Sequence, residues 1–69
     1  MRNKSVVAYW NIYDSETGHL IEAGKAIIQN SMPAIGGLIV GIPEKFHAII
    51  RDFKFNGTKN GLPCYDVYI

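Results

Sequence analysis

Residues 6–13, Val-Val-Ala-Tyr-Trp-Asn-Ile-Tyr, carry the pattern of a strand that is apolar on both faces. With a side-chain period of two, Val6, Ala8, Trp10 and Ile12 share one face and Val7, Tyr9, Asn11 and Tyr13 the other, so that only Asn11 is clearly polar. Such a strand requires cover on both sides. A 69-residue chain has little to supply it, because a domain of this size buries only about 60% of the surface that its unfolded chain exposes.

Small scaffolds of this kind usually lean on disulfides, a metal or oligomerisation. Cys64 is the only cysteine, which excludes an internal disulfide, and His19, His47 and Cys64 show no paired-ligand spacing for a metal cage. Self-association is the support left. The balance of 48% hydrophobic against 19% charged residues agrees, being rich in apolar side chains for so small a body. Residues 1–69 therefore read as a single small domain that forms a homodimer. The basic start, Met1-Arg2-Asn3-Lys4, is followed by too short an apolar run for a signal peptide or a membrane span, so the expectation is a soluble, cytoplasmic protein. A net charge of +1 implies no nucleic acid or acidic substrate by itself.

Along the chain, Asp14-Ser15-Glu16-Thr17-Gly18 separates two alternating apolar runs and predicts a hairpin between strands at about 5–13 and 19–29, with Gly18 left-handed. Residues 30–43 give conflicting signals. Ser31 as N-cap, Pro33 in a first turn, Gly41 as C′ residue and Pro43 beyond it frame a helix, and Ile35, Leu38, Ile39 and Ile42 form an i, i+3, i+4, i+7 stripe. Gly36 and Gly37 each cost about 1 kcal/mol inside a helix, and an extended reading of residues 38–42 competes. Residues 43–55 are similarly divided: Phe46, Ile49, Ile50 and Phe53 are spaced for a helical face that Pro43-Glu44 would start, whereas Ile49, Arg51, Phe53 and Phe55 alternate as a strand. Asn56-Gly57 and Asn60-Gly61 then read as turn formers before a last strand ending at Ile69. A hairpin alone is not stable, so the favoured layout is α+β: a small antiparallel sheet, β-β-α-β-β, with one short helix over 33–41 on one face. With a helix at 43–53 instead, the class is still α+β.

Three residue sets carry this reading: Tyr9, Trp10 and Tyr13; Gly24, Ala26 and Ile28; Ile49, Ile50 and Phe53. The arrangement of an aromatic first strand, a G-x-A-x-I second strand, a helical middle and an I-I-x-x-F strand resembles a loose class of small phage and prophage accessory proteins. The resemblance spans about the first 55 residues and implies a non-enzymatic protein that binds and modulates a host or phage component.

No motif carries catalysis, a cofactor or a metal. Asp14, Glu16 and His19 suit a solvated turn as well as an acid/base group. Cys64 and His47 have nothing local to orient them as nucleophile and base, and the glycines of 36–41 lack the Lys-Ser/Thr of a phosphate loop. The leading expectation is therefore an interaction protein, an inhibitor or adaptor of another protein. Its partner-binding residues are Tyr9 and Tyr13, on the face opposite Trp10, together with Tyr65, Tyr68 and Ile69 at an unshielded C-terminal strand edge. The alternative is a single-stranded nucleic-acid module in which Arg51, Phe53, Lys54, Phe55 and Lys59 form an aromatic and basic sheet face.

Overall fold

The structure is a computed structural model that describes residues 5–29, 31–42 and 45–69, without the side chains of Lys45 and Phe46. Met1–Lys4, Asn30 and the Pro43-Glu44 helix start lie outside the described residues. Six strands follow one another: β1 (Ala8–Tyr13), β2 (Leu20–Ile27), β3 (Leu38–Ile42), β4 (Lys45–Ile49), β5 (Asp52–Lys59) and β6 (Leu62–Tyr68). The described chain is all-β, which overturns the α+β expectation and its helix over 33–41.

Local chemistry makes two hairpins. In the first, Gly18 has φ 77° and donates its N–H to Asp14 O at 2.8 Å, while Asp14 Oδ1 accepts the Glu16 N–H at 2.8 Å. In the second, Asn60 (φ 54°) and Gly61 (φ 79°) form the two-residue turn between Lys59 and Leu62, as the right-handed strand twist favours. Asn56-Gly57 is not a turn: it lies inside β5, where the pairing with β6 shifts register between Phe55 and Thr58.

The two hairpins join through their inner strands into one sheet of order β2-β1-β6-β5. The junction is parallel, with Trp10 opposite Tyr65, Ile12 opposite Val67 and Tyr13 opposite Tyr68. Parallel neighbours require a long crossover. Here the crossover contains β3 and β4, which pair with each other as an antiparallel two-stranded ribbon. The C-terminal strand is thus central and not an exposed edge. Ile69 is buried, donates its N–H to Tyr13 O at 2.9 Å and accepts the Ser15 N–H at 2.8 Å.

A turn replaces the expected helix. Residues 34–37 close a type II turn in which the Gly37 N–H donates to Ala34 O at 2.9 Å and Gly36, the third residue, has φ 89°. A Cβ on Gly37 would stand 2.9 Å from that same oxygen, so the paired glycines fit the bend and not a helix interior. The ribbon then extends past β3 through Ile50 N–H to Gly37 O and Gly36 N–H to Ile50 O, both 2.8 Å.

The core lies between this ribbon and one face of the sheet. Ala8, Trp10 and Ile12 of β1 meet Val67 and Ile69 from the sheet and Ile39, Ile42 and Ile50 from the ribbon side. Trp10 also donates its indole N–H to Ser31 O at 3.0 Å, which ties the β2–β3 connection to the sheet. The ribbon does what the short helix was expected to do.

Candidate functional site

The face of the sheet away from the ribbon carries Tyr9, Asn11 and Tyr13 on β1 beside Cys64, Asp66 and Tyr68 on β6, with Lys54 and Asn56 on β5. Its centre is a closed polar network. Asn11 Nδ2 and Asn56 Nδ2 each donate to Asp66 Oδ1 at 3.1 Å, and Asn11 Oδ1 accepts the Gly24 N–H at 2.8 Å. Asp66 is 9% exposed, and burying a carboxylate without such donors is costly. The aromatic rings are engaged as well. Tyr13 and Tyr68 stack with centroids 5.2 Å apart, and Lys59 Nζ stands 5.1 Å from the centroid of Tyr9.

The structure divides both residue sets expected from the sequence. Tyr9, Tyr13 and Tyr68 do share one face, but Tyr65 is on the ribbon-side face, edge-on to Phe53 (6.3 Å) and Phe55 (5.6 Å), and Ile69 is buried in the core. In the nucleic-acid set, Phe53 and Phe55 share the Tyr65 face, Lys54 and Lys59 belong to the opposite one, and Arg51 is exposed in the link between β4 and β5. Phe53 packs against the core, so no single aromatic and basic platform is formed. His47 is on the ribbon and Cys64 on the far face of the sheet, which separates them as a nucleophile and base pair. Asp14 and Thr17 accept backbone N–H groups within the first turn. Among the described residues, no group of three His, Cys, Asp or Glu is placed to hold a metal, and no helix is long and apolar enough to cross a membrane.

The exposed hydrocarbon is elsewhere. Of the eight large apolar side chains exposed among the described residues, Ile28, Met32, Ile35, Leu38, Val40 and Ile49 come from the ribbon and the connection leading to it. Leu38 is 61% exposed and Val40 57%, although both are strand residues flanking the buried Ile39. Two clefts open beside them over Trp10. One, of about 430 Å³, runs between residues 25–29 and residues 38–40; the other, of about 460 Å³, is lined by Met32, Pro33, Leu38 and Ile50. Both volumes lie in the range of about 300–1,000 Å³ usual for binding clefts.

No family model, curated protein or solved structure matches this chain.

The sequence signal for this surface is present but easily missed. Residues 32–42 contain Met32, Ile35, Leu38, Ile39, Val40 and Ile42 in a stretch that a single ribbon face cannot bury. As a helix, most of that stripe would face the core. As a strand, alternate residues must face outward.

Proposed function

We propose that this chain is a small non-enzymatic interaction protein that binds another protein, as an inhibitor or adaptor, through the apolar surface of the ribbon and its connection. The observation that carries this reading is the gathering of Ile28, Met32, Leu38 and Val40 around two clefts floored by Trp10. Apolar side chains clustered on a small domain mark interaction surfaces, whereas singly scattered ones need no explanation. The tyrosine face supports the reading less, because its rings and its carboxylate are already engaged with neighbours on the same face. The phage resemblance depends on a helical middle, which residues 34–42 do not form, so the proposal rests on the surface itself. A cytoplasmic location belongs to the same proposal.

Capture from the source cell on immobilised chain tests the reading when wild type and Val40→Lys are compared. The expected result is a specific partner retained by wild type and lost from Val40→Lys; equal retention by both contradicts it. Self-association into a homodimer is a second reading. It is favoured by Ile35 and Ile49, which are 67% and 51% exposed and line neither cleft. Light scattering on a sizing column decides it: a dimer that Ile49→Lys converts to monomer supports it, and a monomeric wild type removes it.

A further inference from the structure

We propose that the cleft between β2 and β3 takes one extended segment of a partner protein, which pairs with the free edge of β2 on one side and the free edge of β3 on the other. The inference rests on the interaction reading above and specifies the kind of partner. The cleft is lined by Lys25, Ala26 and Ile27, which end β2, by Ile28 and Gln29 in the bend beyond it, and by residues 38–40, which open β3. Consecutive residues point alternately to the two faces of a strand, so a cavity that touches all of them lies along the strand edge. Among the described residues, β2 is the terminal strand of the four-stranded sheet and β3 pairs with β4 alone. Among the described residues, both edges that border the cleft therefore present backbone N–H and C=O groups unmatched by a strand.

Two strand edges on one cleft select the occupant. An edge strand from a second copy, β2 or β5, is already paired on one side by β1 or β6 and offers only one free edge. A lone extended segment offers both, as in strand addition to a sheet edge. The strand residues bordering the cleft, 25–27 of β2 and 38–40 of β3, pair with about three residues of such a segment at about 3.3 Å per residue. Its inward side chains meet Trp10, Ile27 and Ile39 and are apolar at alternate positions. Lys25, cross-strand from Trp10, is the charged residue lining the cleft, so the segment also carries an acidic side chain.

A capped peptide of alternating valine and threonine with one aspartate serves as the probe, alongside a twin N-methylated at alternate residues. Both are titrated into the full chain and followed by amide NMR. Insertion predicts shifts and slowed amide exchange concentrated at 25–29 and 38–40. It also predicts an affinity at least about tenfold lower for the twin, which keeps every side chain but loses edge donors. Lys25→Glu should reverse the preference toward a probe with lysine in place of aspartate. Shifts at these residues with equal affinity for the twin overturn strand insertion while leaving an apolar interaction surface intact. Absence of shifts there overturns it as well. Failure of the interaction reading shows separately, as a partner retained equally by wild type and Val40→Lys.

Discussion

The four-stranded sheet closes its outward face with its own side chains, whereas the ribbon leaves much of its outward face as bare hydrocarbon. On the sheet, Asp66 accepts two asparagine amides, Tyr13 stacks on Tyr68 and Lys59 stands over Tyr9. On the ribbon, Leu38, Val40 and Ile49 stand outward and mostly exposed. The two regions are of one chain and one core, so their difference is not a shortage of polar residues. It locates binding where apolar area is left over, not where aromatic residues are most conspicuous in the sequence.

Trp10 belongs to both regions. Trp10→Ala removes the side chain under the ribbon and the bond to Ser31 O, and is expected to cost about 3–5 kcal/mol in urea unfolding. Tyr9→Ala and Tyr13→Ala should each cost less, since both rings are only half-buried; an equal cost would erase the division of faces. Next comes Asp66→Ala, which leaves the Asn11 and Asn56 amides without their shared acceptor and is expected to cost about 1–3 kcal/mol by the same measurement. No loss at all would show the polar network to be incidental.

Gly36→Ala tests the turn that leads into the ribbon. An L side chain at φ 89° is expected to cost about 1–2 kcal/mol, and a neutral or stabilising outcome would favour a helix over the turn at 34–37. The smallest stability effect belongs to Leu38→Lys. That change puts a charge on an already exposed position and should leave stability within about 0.5 kcal/mol of wild type. A large destabilisation would mean that Leu38 is needed for folding and is not spare surface.

The sequence made the local parts of this fold legible. The turn after Tyr13, the Asn60-Gly61 turn and the separation of Trp10 and Ile12 from Tyr9 and Tyr13 all follow from period and turn chemistry within a few residues. Parity also carries information at two places where the expected sites ignore it. Tyr65 and Tyr68 are three residues apart and so lie on opposite faces of a strand, and Lys54 is likewise opposite Phe53 and Phe55. The parallel junction of β1 with β6 was not legible, because it joins residues more than fifty positions apart and no local signal fixes it. The 31–43 stretch misleads for a different reason. Its capping residues and its i, i+3, i+4, i+7 stripe suit a helix, and the decision falls to Gly36 and Gly37, whose cost in a helix becomes an advantage in a type II turn. With that turn in place, Leu38 and Val40 point outward, and the candidate surface moves from the tyrosine face to the ribbon.

The most direct test is calorimetric binding of the captured partner to three chains: wild type, Leu38→Lys and Tyr13→Ala. Leu38→Lys is expected to lose at least about tenfold in affinity, a change of about 1.4 kcal/mol, while Tyr13→Ala binds as wild type does. Full affinity in Leu38→Lys with loss in Tyr13→Ala would contradict binding at the ribbon and return the binding surface to the tyrosine face.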